Sequence, residues 1–495
     1  MNRSSDLFKE FLVAYDDFVL DHANMPDNVS EISVECIDSC IIRMKLGKAG
    51  GLDGIESEHL SYAHPILISL IRTLFNAMLQ HSYVPNKFGI GVMIPLIKDK
   101  NGDATSMNNY RGITLSPAIS KLFEMCLLEM FDKYLTTSDL QFGFKKKLGC
   151  SNAIYSLQTT IQHFNNNGST VNVCLLDMSK AFDKVNHYGL YLKLMKRGVP
   201  PVFLRVLINW YSKCSAVVRW NNSLSRCFRL PCGVRQGGVL SPVLFTVYVN
   251  DIITRLQMAK LGCVVGNQFV GCFMYADDLV LVSASVSMLQ AMIDICELEA
   301  NWLDMKFNGL KSMIIRIGSA FNRSCADILL NSVALDYVNK AKYLGVYICA
   351  AKRFKFCFNE SKCKATMNDV VMMQLINTYC KPLLLYGCEC IQLNVSEKCN
   401  LQRAWHTIFW KIFHTNDVSC ISDIQSHLGQ LPLSVEMDLK QIYFLKNMLH
   451  SDNNVVKELS GMFGMSVLEK LLSSYNLKEC SKGTARCSLL KQFCA

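Results

Sequence analysis

An α+β fold with helical appendages is predicted by two observations. Strand-like apolar runs crowd the middle of this 495-residue chain, and helical periodicity dominates on either side of them. A third observation narrows the reading: acidic residues sit inside or at the end of two of the central apolar runs. Half of the residues are hydrophobic and 19% are charged, which excludes an intrinsically disordered chain. The length suits about two to four structural units with full cores. Lys and Arg exceed Asp and Glu by 51 − 41 = 10, too mild an excess to argue by itself for a nucleic-acid partner.

The elements follow in order. Leu7, Phe8, Phe11, Leu12, Tyr15, Phe18 and Val19 repeat at helical spacing and predict an amphipathic helix ending before Pro26. A second helix is expected over about Glu31 to Lys45, ending in the glycine-rich turn Gly47 to Gly54, and a third over Ile66 to Gln80. Val171–Asp177 reads as a buried strand and Val202–Trp210 as a helix. Ala216–Trp220 then alternates into Asn221-Asn222, a hairpin signal. Phe269–Met274, Leu279–Val282 and Tyr343–Ile348 are three more expected strands. Beyond about Ala350 helices return, over Val370–Tyr379, Leu401–Phe413 and Leu439–Leu449.

The 23 cysteines form no disulfide framework: their number is odd and residues such as Cys174, Cys272 and Cys349 lie in apolar runs. The first ten residues lack the basic and apolar regions of a signal peptide. Buried free thiols in a reducing compartment, in a protein that is not secreted, are the expectation. No apolar run reaches the roughly 18–20 residues of a membrane span, so no membrane partner is expected. Cys480, Cys487 and Cys494 lack the paired spacing of a zinc knuckle, and Cys388-Glu-Cys390 is too tight for one.

Acids are costly in apolar surroundings, so those at strand ends carry the chemical signal. Asp177 closes the run Val171–Leu176, and Asp277 and Asp278 lie at the tip of the hairpin Phe273–Val280. Clustered carboxylates need a compensating cation, and Mg²⁺, a hard ion preferring oxygen ligands, suits them. Two such ions about 4 Å apart can activate an attacking hydroxyl and stabilise a leaving phosphate oxygen. Taken alone, Asp-Asp is also what an ordinary exposed turn carries.

Neighbouring segments decide between these readings. Tyr275-Ala-Asp-Asp278, Asp177-Met-Ser-Lys-Ala-Phe-Asp-Lys-Val185 and Gly233-Val-Arg-Gln-Gly-Gly-Val-Leu-Ser-Pro242 resemble the catalytic, first-aspartate and nucleotide-pocket boxes of non-LTR (LINE-type) retrotransposon reverse transcriptases. Ile94–Lys98, Asn109–Leu115, Gln141–Phe144, Lys342–Val346 and Leu385–Gly387 match further blocks, in the family's order over roughly Lys45 to Gly387.

The resemblance implies a right-hand polymerase with an antiparallel palm sheet backed by helices and a helical C-terminal region. It divides the chain into an N-terminal helical extension (1–40), fingers (41–170), palm (171–350) and helical thumb with C-terminal region (351–495). The reverse transcriptase domain as a whole would span about 88–347. The implied activity is RNA-directed DNA polymerisation, extending a DNA primer on an RNA template with dNTPs. Asp177, Asp277 and Asp278 would bind two Mg²⁺ ions, Mn²⁺ being an alternative. Lys98, Arg111, Phe182, Gln236 and Gly237 would meet the incoming dNTP, with Phe182 excluding a ribose 2′-hydroxyl. Tyr275, Lys145, Leu344 and Gly345 would face primer or template. The localisation implied is intracellular, in nucleus, cytoplasm or both.

Several positions depart from the family pattern. Leu52 and Gly112 stand where proline is usual, and Lys145-Lys146-Lys147-Leu148 replaces a common arginine-proline run. Only about forty residues precede the polymerase boxes, which leaves no endonuclease segment and points to the polymerase part of a longer element protein, or a truncated copy. Two alternatives stay open at the sequence level: a catalytically silent remnant that only binds nucleic acid, and a group II intron-type maturase with the same palm.

Overall fold

A computed structural model of the chain describes residues 3–22, 31–99, 102–356, 376–413, 415–477, 485–486 and 488–489. The chain divides into two compact units. The first comprises Met1–Phe144, Asp177–Met258 and Ile293–Asn308, and the second Lys145–Leu176, Ala259–Met292 and Gly309–Ala495. Both mix helices with sheet, which makes the fold α+β as expected.

In the first unit, the helix Arg3–His22 lays its apolar stripe on the helix His187–Lys196, with Phe8 and Phe11 against Tyr188 at 4.8 and 5.5 Å between ring centres. Helix Val34–Arg43 starts where the Ser33 side chain accepts the Cys36 amide, and it packs on the helices Ile66–Gln80 and Ala118–Phe131. Beneath them a core of Phe75, Phe88, Phe123 and Trp210 has rings 4.8 to 6.4 Å apart. A mixed sheet carries Ile90–Ile97 at its centre, antiparallel to Tyr110–Leu115 and parallel to Ser215–Trp220. Asn221, at φ +52°, begins the expected two-residue turn into Ser223–Leu224.

The second unit is built on a five-stranded sheet in the order Asp336–Tyr337, Met313–Ile317, Val171–Asp177, Asp278–Ser283, Cys272–Tyr275. Its edge pair Met313–Ile317 and Asp336–Tyr337 is parallel, whereas Met313–Ile317 with Val171–Asp177 and Cys272–Tyr275 with Asp278–Ser283 are antiparallel. The helix Cys150–Asn166 packs on Cys272–Tyr275 and buries a continuous run from Ala153 to Ile161. A separate core of Leu401, Trp405, Phe409, Ile421, Leu433 and Met437 joins the helices Val395–Phe413, Val418–His427 and Leu433–Leu449.

Two sequence expectations are corrected. Phe269–Met274 is not one strand: Gln268–Phe269 pairs with Val264–Val265, and the chain breaks at Gly271 before Cys272–Tyr275. Tyr343–Ile348 is a hairpin, Lys340–Tyr343 against Val346–Cys349, because Leu344 and Gly345 both take positive φ (+44° and +86°) and reverse the chain. The expected helix over Val370–Tyr379 lies largely outside the described residues; its described end, Ile376–Cys380, is a π-turn. Cys480, Cys487 and Cys494 also lie outside them. Cys174, Cys272, Cys388 and Cys390 are buried and free, whereas Cys349 is half-buried. No described helix is long and apolar enough to cross a membrane.

Candidate active site

The hairpin of the second unit positions the paired acids. Tyr275 and Asp278 are its last paired residues, so the reversal falls on Ala276 and Asp277 rather than on the two aspartates. Ala276 takes φ +58°, a left-handed conformation that costs a non-glycine residue about 1–2 kcal/mol. The strands behind the turn are anchored by buried Cys272, Phe273, Met274, Leu279, Val280 and Leu281, while Asp277 is half-buried and Asp278 exposed. The turn thus lifts two carboxylates off an apolar base. In the sheet order, Asp278–Ser283 neighbours Val171–Asp177, whose last residue is the half-buried Asp177.

Tyrosines surround the same hairpin. Burial is the main cause that pushes the Tyr275 hydroxyl up to about 12, with a hydrogen bond to Cys150 adding to it. Tyr343 is fully buried and pushed well up, first by burial and then by the Asp278 carboxylate. Next to it, Tyr386 donates its hydroxyl to the Leu344 carbonyl at 2.9 Å and its ring closes over Gly345, where a Cβ would lie 3.1 Å from Cε1.

The first unit assembles the segments read as the nucleotide pocket. Phe182 lies flat on Phe245 (4.5 Å, 17° between planes) and edge-on to Phe144. Gln236 donates its side-chain amide to Asp183 at 3.1 Å, and its carbonyl accepts the Thr114 amide at 2.6 Å. Thr114 belongs to the strand that carries the exposed Arg111, so pocket turn and strand lie together. Gly237, at φ +116°, sits where a Cβ would meet the Thr114 carbonyl oxygen at 2.4 Å, so only glycine fits.

Lys98 and Lys145 are less directly placed. Lys98 extends the ladder beyond Ile97 and its Nζ donates to the Asn108 carbonyl at 3.0 Å. Lys145 is half-buried in a loop where Lys147 pairs with Asp452 at 3.2 Å, both exposed.

Two residues escaped the sequence reading. Arg235 donates to Glu124 at 2.9 Å and to the Phe88 carbonyl at 3.0 Å, and the Glu124 carboxylate also accepts the Val239 and Leu240 amides. Both side chains are buried, so this ion pair clamps the Gln236–Gly238 turn from behind. The available signal was an acid, Glu124, on the apolar face of a helical stretch.

The sequence profile of the reverse transcriptase (RNA-dependent DNA polymerase) family matches residues 97–348, half of the chain. The chain belongs to the reverse transcriptase family. The span matched to the reverse transcriptases contains Lys98, Arg111, Asp177, Phe182, Gln236, Asp277, Asp278, Leu344 and Gly345. The relatives of this chain include the RNA-directed DNA polymerase from mobile element jockey of Drosophila melanogaster, 26% identical over 64% of this chain and 35% of that protein. Another is the retrovirus-related Pol polyprotein from type-1 retrotransposable element R2 of Popillia japonica, 25% identical over 71% of this chain and 50% of that protein. The chain therefore spans about a third to a half of the length of these curated relatives. Among solved structures, telomerase from Candida albicans in complex with a fragment of telomeric RNA aligns over 85% of this chain and 69% of its own, at 11% identity and a TM-score of 0.44. The fold of this chain is α+β, with an antiparallel strand hairpin carrying the acids.

Proposed function

We propose that this chain is the RNA-directed DNA polymerase of a non-LTR retrotransposon, extending a DNA primer on an RNA template. The observation that carries the reading is the Tyr275–Asp278 turn, strained at Ala276, which presents two carboxylates within a span matched to reverse transcriptases. Asp177, Asp277 and Asp278 are the residues that would hold divalent ions. An all-carboxylate donor set of hard oxygens fits Mg²⁺, and Mn²⁺ by the same chemistry. When bound, the metal supplies charge stabilisation for the attacking and leaving oxygens of nucleotidyl transfer.

The remaining tasks fall to the chain itself. Arg111, exposed on its strand, meets triphosphate charge, and Lys98 does so at the strand's end. The stacked Phe182 ring excludes a ribose 2′-hydroxyl and selects deoxynucleotides. The bare Gly237 backbone admits the nucleotide at close range, beside Gln236. Tyr275, Lys145, Leu344 and Gly345 face primer and template. In this reading residues 41–170 serve as fingers, 171–350 as palm and 351–495 as thumb with the C-terminal region, behind an extension at 1–40.

Primer extension on an RNA template with Mg²⁺ and dNTPs tests the proposal. Wild type yields full-length DNA and Asp277→Asn/Asp278→Asn yields none; equal product from both sinks it. Template binding with a steep salt dependence but no extension by wild type would establish the binding-only alternative instead.

A further inference from the structure

The packing seam between the helices Val34–Arg43 and Ala118–Phe131 holds three cysteines where aliphatic side chains ordinarily interlock. Cys36 and Cys40 stand one turn apart on the first helix, and Cys126 and Glu129 one turn apart on the second. The three sulfur atoms lie within 4.8 Å of one another, Cys40 and Cys126 being buried and Cys36 half-buried. Oε2 of Glu129 is 3.2 Å from the Cys40 sulfur and 3.8 Å from that of Cys36. Arg43 completes the group, with Nη2 at 3.2 Å from the Cys40 sulfur and 2.5 Å from the Glu129 carboxylate.

We propose that Cys36, Cys40, Cys126 and Glu129 form a structural zinc site that staples these two helices together. Zinc–sulfur bonds of about 2.3 Å and zinc–oxygen bonds of about 2.0–2.2 Å in a tetrahedron put sulfur atoms about 3.8 Å apart and oxygen about 3.5 Å from sulfur. The Glu129 oxygen lies either side of that value from two of the sulfurs, at 3.2 and 3.8 Å, and the three sulfurs lie within 4.8 Å of one another, so side-chain rotations are what closing the site requires. Soft thiolates select zinc over Mg²⁺ or Ca²⁺, and a closed set of four protein ligands marks a structural rather than a catalytic site. Three thiolates, one carboxylate and Zn²⁺ carry a formal charge of −2, which the Arg43 guanidinium lowers to −1, the outer-shell role that orients and balances a metal's ligands.

Only the thiolate is a metal ligand, so zinc binding here would release protons from the three thiols. Buried cysteines are common as plain core residues, but core packing does not explain a carboxylate on two of the three sulfurs and a guanidinium on one of those. The staple also bears on the pocket, because the Ala118–Phe131 helix carries Glu124, the residue that holds Arg235 and the turn after Gln236.

Cobalt substitution and metal analysis on the full chain, purified with zinc and reductant, test the site. Wild type is expected to carry one zinc per chain and, loaded with Co²⁺, to show a thiolate-to-cobalt charge-transfer band with the intense visible bands of a tetrahedral centre. Cys40→Ser and Cys126→Ser should abolish stoichiometric zinc, while Cys227→Ser, an exposed cysteine outside the seam, should retain it. Should the buried variants fail to fold, half-buried Cys36→Ser should lose about a third of the charge-transfer intensity, and Glu129→Gln should shift the visible bands while keeping it. Absence of the band in wild type, or a band unchanged in Cys36→Ser, overturns the proposal. A mass lower by two hydrogens that Cys40→Ser restores would also overturn it, in favour of a Cys40–Cys126 disulfide.

Discussion

Two hairpins of the second unit share one plan and differ in what they expose. Each ends its first strand on a tyrosine, reverses over two residues and resumes at the tyrosine's partner: Tyr275 with Asp278, and Tyr343 with Val346. Each bends a non-glycine residue into the left-handed region, Ala276 at φ +58° and Leu344 at φ +44°. The first hairpin puts carboxylates at and after the bend. The second puts a buried valine there, and its turn is held by Tyr386 on the Leu344 carbonyl. Similar backbones thus serve two ends: one turn presents side-chain charge, the other presents main chain.

The largest test of that contrast is chemical. Asp277→Asn should lower primer extension by about 10²–10³-fold, the scale on which a lost transition-state electrostatic contact acts, while Val346→Ala should change stability more than extension. Extension kinetics and urea midpoints on both variants separate the two roles, and matching losses in both would erase the contrast.

Backbone strain comes next. Gly345→Ala places a Cβ at φ +86° and against Tyr386, and should cost about 1–2 kcal/mol in urea unfolding. Ala276→Gly should act in the opposite sense and raise stability by up to about 1 kcal/mol, because glycine relieves the left-handed cost but adds unfolded-state entropy. If the strain holds Asp277 in place, the same variant extends primers more slowly; a lowered urea midpoint would contradict the strain argument.

The smallest effect is in alkali. Tyr275 titrates near 10 when unfolded and is pushed up to about 12 in the fold, so its neutral form favours folding. That contribution is complete below about pH 10 and is lost as pH rises from 10 towards 12. Tyr275→Phe should make the alkaline loss of stability shallower over this window, and Tyr343→Phe, from the deeper site, should extend the effect. Unfolding midpoints across that range check both.

Much of the local structure was legible because its cause is local. The helix Ile66–Gln80 and the strand Val171–Asp177 lie where periodicity puts them, and Asn221 marks its own turn. Leu344 does not mark its turn: nothing in a leucine announces positive φ, so Tyr343–Ile348 reads as one strand. The boxes also located Phe182 and the Gln236–Gly238 turn, but not what fixes them. Phe245, which stacks on Phe182, lies in a helical stretch with no box, and Arg235 finds Glu124 only through the tertiary fold. Asp177, Asp277 and Asp278 stood out in the sequence because acids at the ends of apolar strands demand a reason. The cysteines failed the opposite test: Cys36 and Cys40 show helical spacing, but Cys126 joins them only when two helices pack.

The Glu124–Arg235 pair also constrains the order in which the chain becomes native. The two residues are 111 positions apart, and Glu124 is almost completely buried. Until Arg235 and the Val239 and Leu240 amides arrive, a helix already made would have to hide an acid without a partner, at a cost that favours leaving it unpacked. The Ala118–Phe131 helix therefore gains its full packing stability only once Arg235, 111 residues further along the chain, is in place. The Gln236–Gly238 turn and the helix behind it are thereby coupled through one long-range contact, so loosening either should loosen the other.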